Sequence, residues 1–331
     1  MPRIIAQPSL CVLAFSCEFR DQELFASLIT PPRMVQSPLQ ANPSPCLACV
    51  PRITKDANPA SATDMKPAHS LAQTLRSAFR LAILVATALQ GCAHFLALRL
   101  RGKVSTLERA RWLHLWCARA LHRLQIELQR EGEFPSRGLL VANHLGYLDI
   151  LVLSAMHPCV FVSKKEVRHW PLFGLMATLA GTVFVDRARS SAAHSANAEM
   201  SNALSQDAVV VLFPEGTSSD GSQVLPFRPA LFDAAAKAGA NVVSAHISYD
   251  VADGSAAHDV CYWGEMSFFP HLLRLLSRHG VRARVRFAKE TRKFDDRKLA
   301  ARVTREVVAS LAQMPAPQAP APHSFRHSRL P

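Results

Sequence analysis

The chain has 331 residues, 49% of them hydrophobic, which excludes a wholly disordered polymer and allows one large α/β domain with appendages. Lys and Arg total 38 against 25 Asp and Glu, and ten of these cations fall between Arg76 and Arg130, beside only Glu108 and Glu127. A basic excess flanking the most apolar segment suits an anionic membrane surface, and no nucleic-acid motif accompanies it. Eight cysteines are scattered along the chain. Their one close pair, Cys46-x-x-Cys49, lacks the second pair that a tetrahedral metal site needs, so the usage fits free thiols in a reducing compartment.

Residues 1–70 carry ten of the 22 prolines and no sustained period, and read as a poorly ordered extension. Met65-Lys66, directly ahead of a basic-flanked apolar helix, reads as the true start of the chain. Leu81–Leu98 is apolar except for Thr87, Gln90 and His94. At about 1.5 Å per residue it reaches roughly 27 Å, just short of a bilayer's hydrocarbon thickness, so a single span and an inserted hairpin arm both remain open. Arg111–Leu128 has the period of an amphipathic helix, with Trp112 and Trp116 on one side and Arg111 and Arg119 on the other. Residues 71–130 are therefore expected to form a membrane-associated helical pair.

From residue 138 onward short β-rich runs alternate with helical patterns. Strands are predicted at 139–142, 159–163, 182–186, 208–213, 241–248 and 281–287. Helices are predicted over Ala192–Ser205 and Pro229–Ala238, with Pro171 and Pro229 as first-turn prolines and Gly239 as a stop. The alternation predicts an α/β domain over 131–312, a mostly parallel sheet flanked by helices. Val281–Phe287 (VRARVRF) alternates strictly, which predicts an edge strand with outward arginines. Residues 313–331 form a Pro/Ala-rich tail of disordered character.

Three stretches carry the chemistry. In Gly138–Ile150 (GLLVANHLGYLDI) a buried strand delivers His144 at its carboxyl end, and Asp149 follows five residues later. A neutral imidazole can take a proton from a hydroxyl, and a carboxylate on its other nitrogen fixes the tautomer. The other two stretches are Gly181–Arg187 (GTVFVDR) and Phe213–Gly216 (FPEG), with Thr217 after it. A G-x-S-x-G elbow is absent, so no serine nucleophile is expected. Nor is a metal or bound cofactor called for.

In this order and spacing the three stretches resemble the 1-acylglycerol-3-phosphate acyltransferase family, the lysophospholipid acyltransferases. Phe161–Gly174 and Leu225–Phe232 (LPFRPALF) extend the resemblance. It implies transfer of an acyl group from acyl-CoA or acyl carrier protein to the hydroxyl of a lysolipid, with His144 as base and Asp149 as its partner. It also implies that Lys164, Arg187, Glu215, Gly216 and Thr217 bind the acceptor, at the cytoplasmic face of a bacterial inner membrane. The first acceptor it suggests is 1-acyl-sn-glycerol-3-phosphate, giving phosphatidic acid.

Three departures bear on that acceptor. Many members follow FPEG-Thr with an arginine, where this chain has Ser218-Ser219-Asp220, leaving Arg228 as the candidate replacement cation. Ala230 stands where a glycine is common, and Val243-Ser244-Ala245 stands where a proline is usual. The form FPEGTSSDG resembles the branch that includes bacterial lyso-ornithine-lipid acyltransferases, whose acceptor has no phosphate.

Overall fold

The computed structural model describes residues 71–169, 173–185, 190–206 and 208–314. Expectations for the 1–70 extension, the Met65 start, the Cys46/Cys49 pair, Pro171, Arg187 and most of the tail lie outside these residues.

Two helices come first, α1 (Leu71–Leu100) and α2 (Thr106–Arg123). α2 starts at a capping box: Ser105 Oγ accepts from the Glu108 amide, and the Glu108 carboxylate accepts from the Ser105 amide at 2.7 Å. It thus begins earlier than the apolar period indicated, and it ends earlier too. Gln125, at φ 58°, turns the chain into β1 (Glu127–Glu131), a strand the sequence reading missed.

The three polar residues that interrupt the apolar run of α1 all bind α2. Arg123 donates to Thr87 Oγ1 at 2.7 Å and to Gln90 Oε1 at 3.0 Å, while the Trp116 indole donates to His94 Nδ1 at 3.0 Å. Ser77, Leu84, Thr87, Gly91 and Phe95 are buried, and they recur at helical spacing on this docked face. Leu71, Leu75, Phe79, Val85, Leu89, Leu96 and Leu100 are exposed.

The sheet has seven strands in the order β1-β7-β6-β2-β5-β3-β4. Its remaining members are β2 (Gly138–Ala142), β3 (Val160–Lys164), β4 (Val183–Val185), β5 (Val209–Leu212), β6 (Val242–Asp250) and β7 (Arg282–Phe287). Every pairing is parallel except β6 with β7. The sheet is mostly parallel and flanked by helices on both sides, as the alternation predicted. Leu140 and Ala142 of β2 face a core with α1, α2, α3 (Leu148–Met156) and α7 (Phe268–Ser277). Leu139 and Val141 face the opposite core with α5 (Ser190–Ser205), α6 (Asp233–Lys237) and α8 (Arg297–Gln313). A strand buried on both faces reads as a continuous apolar run, which is why LLVA stood out. One further helix, α4 (Phe173–Leu179), leads into β4.

Pro229 opens a 3₁₀ turn (Pro229–Phe232) that runs into α6, and Gly239 ends the segment at φ 56°. β7 corrects the sequence reading: it lies between β1 and β6, not at the edge. Its register sets Arg282, Arg284 and Arg286 opposite Glu127, Gln129 and Glu131. Arg286 is 5% exposed, donates to Glu131 Oε2 at 3.0 Å and also caps the Leu311 carbonyl at 3.1 Å. The alternating arginines pair with Glu127, Gln129 and Glu131 of β1, Arg284 and Arg286 largely shielded from solvent and the Arg282–Glu127 pair still exposed to it.

Candidate active site

β2 and β5 are parallel neighbours, with Val141 opposite Leu212, so the loops leaving their carboxyl ends emerge side by side. His144 follows one strand and Phe213-Pro214-Glu215-Gly216 the other. The His144 ring stacks on Phe213 with centroids 4.3 Å apart, and the Ser219 amide donates to the His144 carbonyl at 2.9 Å. On the other side of β2, Asn143 extends the ladder to β6 with its side chain. Its Nδ2 donates to the Ile247 carbonyl at 3.0 Å, and its Oδ1 accepts from the Ile247 amide at 2.7 Å.

Asp149, in the first turn of α3, is fully buried. Its Oδ2 sits 2.8 Å from His144 Nδ1 and accepts from the amides of Leu145 (2.6 Å) and Gly146 (3.0 Å). The carboxylate both closes the turn and holds the ring. An acceptor at Nδ1 places the proton there in the neutral ring and leaves a lone pair on Nε2. Gly146 has φ 153°, and a Cβ there would lie 3.0 Å from the Tyr262 amide nitrogen. Glycine is the residue that lets this loop pass Tyr262, whose amide donates to the Leu145 carbonyl at 2.7 Å.

His144 opens onto a cavity of about 390 Å³ that runs toward the α1–α2 seam. Phe161, Met176, Trp116 and Leu84 give it an apolar wall, and Gly216, Thr217 and Ser218 line it beside the histidine. Among the described residues no lysine or arginine lines it.

The other expected site residues divide. Gly216 (φ 72°) and Thr217 are at the cavity. Lys164 is the last residue of β3. Arg228 has an exposed side chain that does not line the cavity, and its amide serves the fold by donating to the Pro214 carbonyl at 2.9 Å. Glu215 is 3% exposed and holds backbone: Oε2 accepts from the His144 amide at 3.4 Å and Oε1 from the Leu225 amide at 3.2 Å. Burial pushes its carboxyl up to about 8, outweighing those two amides. Beyond it, Arg305 of α8 grips the Val224 and Leu225 carbonyls at 2.9 and 3.1 Å.

Sequence reasoning missed Asn143, Tyr249, Tyr262 and Arg305. Only Asn143, adjacent to the histidine, offered a local signal. The other three reach the site through β6, the segment after it and α8.

The fold is a helix-flanked, mostly parallel α/β sheet that a solved structure shares. It superimposes with a TM-score of 0.53 on the crystal structure of the 1-acyl-sn-glycerophosphate acyltransferase from Thermotoga maritima, over 72% of this chain and 93% of that one, at 20% identity. A family model described as Acyltransferase matches residues 125–248. The lyso-ornithine lipid O-acyltransferase of Brucella abortus is 39% identical over 193 residues, 53% of this chain and 71% of that protein. The 1-acyl-sn-glycerol-3-phosphate acyltransferase of Neisseria gonorrhoeae is 38% identical over 117 residues, 35% and 46% of the two chains. The chain belongs to the acyltransferase family, the lysophospholipid acyltransferases to which its motifs pointed.

Proposed function

We propose that this acyltransferase moves an acyl chain from a thioester to the free hydroxyl of a lysolipid, with His144 as general base. The observation that carries the proposal is the 2.8 Å contact of His144 Nδ1 with buried Asp149, at the mouth of an apolar cavity. Nε2 accepts the hydroxyl proton as the oxygen attacks the thioester carbonyl, the thiolate leaves, and Asp149 stabilises the imidazolium. A thioester is activated enough for direct attack, so no covalent enzyme intermediate is needed. The cavity takes the apolar chain, and the Gly216–Ser218 segment meets the polar end of a substrate.

Two features favour a lyso-ornithine lipid as acceptor. The match to the Brucella enzyme runs through 193 residues against 117 for the Neisseria enzyme. Ser218-Ser219-Asp220 replaces the arginine that suits a phosphate, and Arg228 does not reach the cavity to replace it. Lysophosphatidic acid is the second reading, supported by the Neisseria match and by the motif positions Lys164 and Arg187. We further propose that α1 and α2 rest on an anionic bilayer, with the exposed leucine stripe of α1 toward the lipid.

The deciding experiment supplies labelled acyl thioester with lyso-ornithine lipid, with lysophosphatidic acid, and with neither. Ester formed on lyso-ornithine lipid is expected. Release of free acid without acceptor would make the protein a hydrolase, and no turnover with any lysolipid would make it a binding scaffold. In His144→Ala the rate is expected to fall by about 10² to 10⁴.

A further inference from the structure

Asp149 has a second oxygen, and what holds it lies outside the three stretches that carry the chemistry. Tyr249, near the end of β6, donates its hydroxyl to Asp149 Oδ1 at 2.6 Å in the protein interior. Both groups are buried: Asp149 is 0% and Tyr249 7% exposed, and Tyr249 does not line the cavity. The Asn143–Ile247 clasp fixes β6 against the His144 loop two residues before Tyr249, so the phenol arrives with its strand already in register.

From this geometry, and resting on the His144–Asp149 reading above, we infer that Tyr249 is a positioning residue. It holds the Asp149 carboxylate so that Oδ2 is aimed at His144, and it sets how strongly that carboxylate supports the protonated ring. Oδ2 has three donors and Oδ1 has this phenol. Without it Oδ1 would keep its charge in the protein interior with no other donor among the described residues, free to swing and to draw the imidazole proton more tightly. Burial and the neighbouring Asp149 charge hold the Tyr249 phenol well above its ordinary value, so it remains a donor throughout the neutral range.

The titratable groups around the pair come from four elements. They are Tyr249 on β6, Tyr147 beside the start of α3, Cys261 and Tyr262 in the segment after β6, and Glu215 after β5. Burial raises the tyrosines, pushes Cys261 up to about 12 and lifts Glu215 to about 8. Beyond these, His271 of α7, 2.9 Å from the Tyr147 hydroxyl, is lowered by burial, and Glu215 adds its step on the alkaline side of the rate profile.

The test uses the full-length protein with Tyr249→Phe, and separately with a ring-fluorinated tyrosine at position 249, and follows kcat, KM and the pH profile of kcat/KM. For Tyr249→Phe, kcat is expected to fall about tenfold, as for loss of a hydrogen bond to a charged group. KM for both substrates stays, and the acid limb moves to higher pH, because the uncompensated carboxylate holds the imidazolium more firmly. The fluorinated phenol is the stronger donor and keeps the shape, so it moves the limb to lower pH and remains informative if the phenylalanine variant does not fold. A kcat loss with an unmoved limb in both proteins would mean packing alone and overturn the inference, as would parental kinetics. His144→Ala runs alongside: if it keeps full activity the base assignment itself falls, whereas an inactive His144→Ala beside an unmoved limb sinks only the role of Tyr249.

Discussion

At the scale of single residues the site depends on buried carboxyls that bind backbone. Glu215 sits in a motif position expected to bind the acceptor, yet its oxygens are turned to the amides of His144 and Leu225. Its folded-state pKa of about 8 lies above the ordinary 4.5, so the folded chain retains a proton that the unfolded chain has already released between those values. The stability this provides is complete below about 4.5 and is lost as the pH rises through about 8. Glu215→Gln is expected to flatten that decline, read as thermal unfolding midpoints on either side of the window. An unchanged slope would place the titration elsewhere. None of this was legible from FPEG as a motif: the letters mark a functional position, while the turn of the side chain depends on which loops the sheet sets side by side.

Elements carry the next level of control. α8 begins 49 residues beyond the Acyltransferase match at 125–248, yet its Arg305 clamps the loop that presents Leu225 to Glu215. Arg305→Met removes two charge-assisted bonds of about 1.5–3 kcal/mol each, and at roughly 2–4 °C per kcal/mol for a domain of this size the unfolding midpoint is expected to fall by about 6 °C or more. Turnover is expected to fall with it, because the Glu215 end of the His144 loop loses its support. Wild-type turnover in a destabilised Arg305→Met protein would confine the clamp to folding. Sequence pattern found β2 because LLVA is buried on both faces, and it found α5 and α6 from their periods. It missed β1 because ELQRE has no apolar signature. The arginines of RARVRF were the complementary half of that strand, and only the register of β1 on β7 makes the charges meet.

For the whole molecule, the main question is how α1 sits. Its docked face is held at both ends: Arg76 donates to the Ser277 carbonyl at 2.8 Å and Arg80 to the Leu276 carbonyl at 3.3 Å, while Thr87, Gln90 and His94 engage α2. Arg76 and Arg80, which read as flanks of a span, are partly occupied with the end of α7. A helix fastened along its length to the domain, with leucines along the other side, suits lying in a bilayer surface better than crossing it. Leu75→Glu with Leu89→Glu is expected to abolish flotation with anionic vesicles while leaving the fold intact by circular dichroism. Flotation equal to the parent would remove this face from the membrane contact.

The same helix has a second consequence. Leu84, Thr87 and Ala88 form part of the cavity wall, while Val85 and Leu89, their immediate neighbours, face outward. One helix diameter, about 10 Å, is all that separates the interior cavity from the outward Val85 and Leu89. A fatty tail stored on one side and delivered to the other would exchange one oily environment for another, and its greasy length would meet almost no water during the handover.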